Sequence, residues 1–391
     1  MTLKIILDVQ SLYDATLSGV GRYTLELAKR LPAHPLVDEV LYYRDGTLTK
    51  KLAYEVKTSD TVIERSVFLK WLFYQFERVW FRVNKLKPKL LRTDINTKEV
   101  LSSGMYVFHG PNFTVPIEAK RPVVTIHDLS VFRFQHLHPT SRVEYMQDQV
   151  GRSLSSANQA ITVSKSVKYE VVDYFSVSEQ KLTAIHNGID GRYQVRRAAQ
   201  AQRVLDKYDL THKSYLLTVS KIEPRKNHEV LLAAFMQLPK QIRQRFPLVI
   251  VGDVGWQAEE IMRQILKLVE QGEIHYLRFV TEEDLPFLYS GASSFLFLSQ
   301  YEGFGLPILE AMASGVPVIC SLDPALQEVG GQSVIAVDTH QTDSVVNAIS
   351  SVLADEQLSA ELTANGLQRA AEFSWDKMTD ETVAVYLKAS P

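Results

Sequence analysis

Glu302 and Glu310 flank Gly303-Phe304-Gly305-Leu306-Pro307 in a stretch that runs from Ser299 to Ala313. An apolar run at 294–298 precedes it and reads as a buried strand. The glycines permit tight turns and close backbone approach to a ligand. Pro307 is tolerated in a first helical turn, and Leu309, Met312 and Ala313 continue at helical spacing. Strand, glycine loop and helix leave open backbone N–H groups at the positive end of a helix dipole, which suits an anion, most simply a phosphate. Carboxylates would repel a phosphate, so Glu302 and Glu310 are better suited to hold hydroxyls, as on sugars. Arg225 and Lys226 follow a strand at 215–220 and precede a helix from His228, a place where two cations would serve a diphosphate: the arginine as a planar fork, the lysine as a point charge. A solvated charge pair is the plainer alternative. His127 and Asp128 end the buried run 122–129, and strand carboxyl ends are where open α/β sheets hold ligands.

The elements that would position these groups alternate along the whole chain. A strand at 3–9 leads to Ser18-Gly19-Val20-Gly21-Arg22-Tyr23, then to Leu25, Leu27, Ala28 and Leu31 at helical spacing, stopped by Pro32. A strand around 40–43 completes a βαβ opening of the kind that builds doubly wound sheets. A dinucleotide fingerprint would need glycine at Thr24 and a loop starting directly after the strand, so Gly19 and Gly21 read instead as a flexible loop facing a cleft. Strands follow at 106–110, 122–128, 160–164 and 181–185, with helices at 140–160 and 165–175. The polar stretch 192–203 lacks periodicity and marks a domain boundary. The second half restarts with strands at 215–220, 247–252, 274–280, 294–298, 316–320 and 334–337. Helices are expected at 228–236, to about 271, at 282–290, at 342–354 and over 358–387, the last broken at Phe373-Ser374-Trp375. The expected fold class is α/β, two Rossmann-like domains with parallel sheets facing across a deep cleft. Their spans are 1–195 and 205–370, and 371–391 is a helix that crosses back to the first domain.

At 391 residues the chain exceeds one ordinary core, and 46% apolar with 23% charged residues is a globular balance. A net charge of −2 gives no global nucleic-acid signal. Cys320 is the only cysteine, which excludes a disulfide framework and a cysteine zinc site, and His136 and His138 lack a third metal ligand. Met1 leads straight into a strand-like run without the layout of a signal peptide, and no run nears the roughly 20 apolar residues a bilayer span needs, so a cytoplasmic location is expected. Residues 65–92 differ from the rest: Arg65, Lys70, Arg78, Arg82, Lys85, Lys87, Lys89 and Arg92 stand against Glu77 alone, interleaved with Trp71, Phe73, Tyr74, Phe76, Trp80 and Phe81. Such a segment either lies on an anionic membrane surface or is a core helix with a solvated basic face.

Taken together, Gly19-Val20-Gly21-Arg22-Tyr23, His127-Asp128, His186-Asn187-Gly188-Ile189-Asp190, Ser220 to Asn227 and the E-x7-E of Glu302 and Glu310 resemble the GT-B retaining glycosyltransferases of family 4, group 1. The pattern is similar to bacterial mannosyltransferases of surface polysaccharide synthesis. The resemblance implies a nucleotide-sugar donor, with GDP-mannose the best match, held mainly by the second domain. It assigns His127, Glu302, Arg225 and Lys226 to catalysis: the cations neutralise the diphosphate, Glu302 faces the transferred sugar and His127 contacts it. It assigns Gly19, Gly21, Ser220, Gly252, Val280, Phe304, Gly305, Leu306 and Glu310 to donor binding, with Glu310 on the ribose hydroxyls and Val280 near the base. It implies no metal and no cofactor beyond the donor as substrate. The implied acceptor is a lipid-linked glycan at the inner membrane face, which 65–92 would suit as a peripheral contact. A UDP-sugar enzyme and a catalytically silent nucleotide-sugar binder are the competing readings.

Overall fold

The computed structural model describes residues 2–13, 17–52, 54, 95–138 and 140–389, and the basic aromatic segment 65–92 lies outside the described residues. The first sheet contains β1 (Leu3–Asp8), β2 (Val37–Arg44), β3 (Thr47–Thr49), β4 (Val107–Gly110), β5 (Pro122–Ile126), β6 (Gln159–Thr162) and β7 (Leu182–Ala184) in the order β3-β2-β1-β4-β5-β6-β7. The second contains β8 (Leu216–Val219), β9 (Leu248–Val251), β10 (Ile274–Leu277), β11 (Ser294–Phe297), β12 (Val318–Ser321) and β13 (Val334–Val337) in the order β10-β9-β8-β11-β12-β13. The second sheet is parallel throughout. In the first, among the described residues, the edge pair β2–β3 alone is antiparallel, a departure from the all-parallel expectation that a short turn at Asp45-Gly46 produces. Helices cover both faces, which is why β5, β9, β11 and β12 are buried along their entire length and read as unbroken apolar runs. Both sheets reverse their winding between the first and fourth strands, β1/β4 and β8/β11, and ligands of such sheets sit at that switch point. This is the GT-B architecture.

Among the described residues the chain passes between the sheets twice, and the two passages lie side by side. Ile189 forms a parallel bridge to Ser374, and a methyl group at Gly188 would fall 2.1 Å from the Trp375 nitrogen. Beyond that point the Trp375–Ala389 helix buries Trp375, Met378, Val383 and Tyr386 among Ile5, Leu7 and Tyr23 of the first domain. A buried hydrogen-bond chain fixes it there: the Tyr386 hydroxyl lies 2.6 Å from His109 Nδ1, and His109 Nε2 lies 2.8 Å from Thr125 Oγ1. Burial pushes the His109 imidazole down to about 3, so the ring is neutral and serves as a tie rather than a titrating group.

Two sequence expectations need correction. Gly19 and Gly21 lie in the first turn of the Gly19–Arg30 helix, not in a flexible loop; Ser18 caps it by accepting from the Gly21 N–H at 3.2 Å. The polar stretch 192–203, which lacks periodicity in the sequence, contains most of the Ala198–Leu205 helix, whose apolar signal is weak because only Ala201 and Leu205 are buried.

Candidate functional site

The site is built where the loops after β8 and β11 meet. Beyond β11, Gly305 takes a left-handed φ of +102° and opens the Leu306–Ala313 helix, with its carbonyl accepting from the Ile308 N–H at 3.2 Å. A residue with a side chain is strained there, so the glycine sets the angle at which the helix N-terminus meets the cleft. Glu302 stays in the loop and Glu310 sits within the helix, so the glutamates face different ends of the site. The Glu302 N–H donates to Asp323 Oδ2 at 3.2 Å, while Asp323 Oδ1 caps the Pro324–Gly330 helix through Ala325 and Leu326. Burial pushes the Asp323 carboxyl up to about 6, and the Glu302 charge nearby adds to the rise.

Across the switch point, a turn at Pro224–Lys226 precedes the His228–Gln237 helix. Two hydrogen bonds lock the two loops together: Gln300 N–H to the Arg225 carbonyl at 2.8 Å and Asn227 Nδ2 to the Leu298 carbonyl at 3.2 Å. The side chains then form a closed ion cluster. Arg225 Nη1 lies 3.2 Å from Glu302 Oε2 and 2.6 Å from the Tyr301 carbonyl, and its Nη2 lies 3.1 Å from Glu223 Oε1. Lys226 Nζ meets Glu302 Oε1 at 2.5 Å and stands 5.3 Å above the Phe297 ring. All four side chains are 13% exposed or less. Burial alone would raise the Glu302 carboxyl, but Lys226 and Arg225 hold it below the ordinary carboxylate range. Burial and the neighbouring Arg225 lower the Lys226 ammonium, whereas Arg225 itself is raised because Glu302, Asp128 and Glu223 outweigh its burial. Breaking one partner of so buried a pair costs about 3–5 kcal/mol. The plain surface-pair reading of Arg225 and Lys226 therefore does not hold.

The facing wall comes from the first domain. His127, at the end of β5, is buried edge-on to Tyr23 at 5.1 Å, and its Nε2 lies 2.7 Å from the Pro111 carbonyl. A carbonyl only accepts, so Nε2 carries the proton; burial lowers the imidazole, keeping it neutral with Nδ1 as the acceptor. Gly303 packs on this wall so closely that a methyl group there would fall 1.7 Å from the His127 carbonyl oxygen. Ser164 Oγ donates to the Gly303 carbonyl at 2.7 Å. The Tyr301 hydroxyl accepts from the Leu129 N–H at 2.7 Å and donates to Glu170 at 2.5 Å. Further out, Glu328 of the second domain accepts from Lys165 N–H at 2.8 Å and Ser166 N–H at 2.9 Å, at the N-terminus of the Lys165–Phe175 helix, and lies 2.6 Å from His186 Nε2. The two domains are thus clamped around the glycine loop.

At the far end, Glu310 is 8% exposed, with the hydroxyls of Tyr193 and Tyr289 beside it. Arg22, on the first-domain Gly19–Arg30 helix, reaches Glu282 Oε2 at 3.3 Å and Asp190 Oδ2 at 3.9 Å. Arg192 also meets Glu282, at 3.0 Å. The remaining residues singled out from the sequence make local packing contacts. Gly19 approaches the Leu306 side chain, and a methyl group there would stand 3.7 Å from its Cδ1; Gly21 packs on Leu17 and the Ser11 carbonyl. Ser220 Oγ lies 3.2 Å from His228 Nε2, with Gly252 pressed against the Ser220 carbonyl. Val280 packs half-buried on the second-domain core. The Phe304 ring is inserted between His186 and Phe373, which leaves only its backbone for a ligand. Sequence reasoning singled out the glycines and glutamates but gave no role to Arg22, Glu223, Tyr301, Asp323 or Glu328. Arg22, Glu223 and Tyr301 lie inside the motifs named above; Asp323 and Glu328 carry no spacing signal.

Comparison with known proteins supports the same architecture. A model described as glycosyl transferases group 1 matches residues 204–369, and one described as Glycosyltransferase Family 4 matches residues 17–192. An O-antigen chain mannosyltransferase B of Escherichia coli is 34% identical over 370 residues, 95% of this chain and 96% of its own length. A serotype-specific mannosyltransferase of Escherichia coli is 28% identical over 400 residues, 95% of this chain but 46% of the longer relative. Among solved structures, Anabaena HepE in complex with UDP-glucose has a TM-score of 0.69 at 17% identity, with 98% of each chain covered. WaaG, a glycosyltransferase involved in lipopolysaccharide biosynthesis, has a TM-score of 0.68 at 13% identity, covering 98% of this chain and 99% of that one.

Proposed function

The chain belongs to the group 1 glycosyltransferases with a family 4 first half, and from that premise we propose that it transfers mannose from GDP-mannose, with retention, to a glycan acceptor in surface polysaccharide synthesis. The observation that carries the transfer chemistry is the cluster of Arg225, Lys226 and Glu302 at the mouth of the Leu306–Ala313 helix. As the bond between anomeric carbon and diphosphate oxygen breaks, its electron pair goes to the diphosphate. Once Glu302 has turned from them to the sugar, the two cations and the helix N-terminus meet that charge. Glu302 moves from pairing with the cations to holding sugar hydroxyls, and neutral His127 accepts a further sugar hydroxyl at Nδ1. Glu310 accepts from the ribose hydroxyls.

Retention by double displacement would need a carboxylate at the anomeric carbon. Glu302 and Glu310 are engaged elsewhere, so the acceptor oxygen attacks the face the diphosphate leaves, and a leaving phosphate oxygen takes its proton. The cations supply the charge neutralisation that a divalent metal would otherwise provide, so the transfer runs without one. The choice of mannose rests on the relatives: the one that matches end to end and the longer one both carry mannosyltransferase names. The acceptor fits a lipid-linked glycan at the inner membrane face, with 65–92 as the membrane contact. HepE was solved with UDP-glucose, which favours a UDP-sugar as the second reading.

A donor panel followed by mass spectrometry, with GDP-mannose first, tests the proposal. GDP-mannose should be consumed with release of GDP and gain of one hexose on the acceptor. Turnover of UDP-sugars alone would replace the donor, and binding without turnover of any nucleotide sugar would make the chain a binder.

A further inference from the structure

We propose that Arg22, carried by the first domain, completes the nucleoside end of the donor site: its helix faces the one that carries Glu310 across the cleft, so the ribose hydroxyls are gripped only when the domains meet. This rests on the reading of Glu310 as the ribose ligand. The geometry begins with two helix N-termini placed against each other. Gly19 opens one helix and Leu306 the other, and a methyl group at Gly19 would stand 3.7 Å from Leu306 Cδ1. Arg22 lies three residues beyond Gly19 and Glu310 four beyond Leu306, spacings that put each side chain on the face its helix turns toward the other.

Arg22 is 15% exposed and is aimed by acids on both sides, Glu282 from the second domain at 3.3 Å and Asp190 from the domain passage at 3.9 Å. Arg192 shares Glu282 and keeps that carboxylate from drawing Arg22 away alone. The groups facing Glu310 are Arg22 from the first domain, Tyr193 and Arg192 from the passage, and Tyr289 from the Leu285–Gly291 helix. The second domain and the passage thus each supply a hydroxyl, and the first domain supplies the principal positive charge. Burial raises the Glu310 carboxyl above the ordinary range, and Arg22 is the strongest influence in the other direction. The consequence is chemical: only the ionised carboxylate accepts from two ribose hydroxyls at once, because a protonated one spends an oxygen as a donor. Arg22 is a positioning residue, acting through Glu310.

The test titrates the full chain with GDP and 2′-deoxy-GDP by calorimetry across pH, in the wild type, Arg22→Gln, Arg22→Lys, Glu310→Gln and the Arg22→Gln/Glu310→Gln double variant. Hydrogen bonds to charged groups predict that the wild type prefers GDP by about tenfold. Arg22→Gln should lose most of that preference and roughly tenfold in GDP affinity. Losing Arg22 removes a lowering influence on an already raised carboxyl, so the acidic limit of GDP binding should move to higher pH. Arg22→Lys, which keeps the charge, should keep most of the preference, and the double variant should bind no more weakly than Glu310→Gln. An Arg22→Gln chain with the wild-type preference and pH limit overturns the proposal while leaving Glu310 as ribose ligand. A wild type that binds both nucleotides equally overturns the ribose reading itself. For a chain that takes only UDP, the same ratio is read with UDP and 2′-deoxy-UDP.

Discussion

The two ends of the site are assembled by different means. At the end proposed to take the diphosphate, Arg225, Lys226, Glu302 and Glu223 all come from the second domain, and their charges are paired before any ligand arrives. At the end proposed to take the ribose, Glu310 is a single buried carboxylate, and the cation that acts on it most strongly belongs to the other domain. A cluster complete within one domain survives opening of the cleft. An acid that depends on a cation from across the cleft does not. On the proposed reading, the first end can take the diphosphate in an open cleft once Glu302 turns aside, and the second makes recognition of the donor conditional on closure.

The largest effect expected from disturbing this contrast is at the paired end. Arg225→Ala with Lys226→Ala removes both cations and leaves Glu302 buried without a partner, so turnover should fall by about 10³-fold or more in a donor-consumption assay; wild-type kinetics would remove the cluster from the chemistry. Gly303→Val comes next. Its side chain would occupy the space of the His127 carbonyl, so the domains cannot meet, and turnover should fall on the order of 10²-fold, read as kcat in the same assay. A wild-type kcat would mean that this contact is not part of the reactive arrangement.

Glu302→Gln splits the parameters. Turnover should drop by roughly 10²-fold, because the sugar loses its carboxylate. Affinity for inorganic pyrophosphate should rise instead, since both cations lose their internal partner. Full turnover would count against Glu302 on the sugar, and unchanged pyrophosphate affinity would count against the pairing seen here. Glu328→Gln should give the smallest effect. It weakens a clamp on Lys165, Ser166 and His186 that touches no reacting group, so kcat and KM should shift together by about threefold. A change confined to kcat would place Glu328 in the chemistry.

Much of this fold was legible because its strands are buried on both faces and read as apolar runs. β13 and the Thr342–Ala354 helix begin and end where the pattern places them. The short β3 edge strand and the Ala198–Leu205 helix were not legible, since each buries too few side chains to impose a period. The site divides in the same way. Glu302, Arg225 and Lys226 stood out by residue type and place in the chain, yet their pairing with one another depends on a turn that the sequence does not display. Arg22 sat within a quoted motif without a role, because its partners Glu282 and Asp190 lie more than 160 residues away and are brought to it only by the packing of two domains. Gly303 was noticed for its freedom to turn; what the structure adds is the His127 carbonyl against it.

On this reading, one end of the site is complete in the second domain and the other exists only on closure. It is tested most directly by measuring the affinity of the Gly303→Val chain for inorganic pyrophosphate, GDP and 2′-deoxy-GDP beside the wild type. The account predicts pyrophosphate affinity within about threefold of the wild type, and a GDP preference over 2′-deoxy-GDP that falls from about tenfold to none. A variant that keeps the ribose preference, or that loses pyrophosphate binding as well, would contradict it.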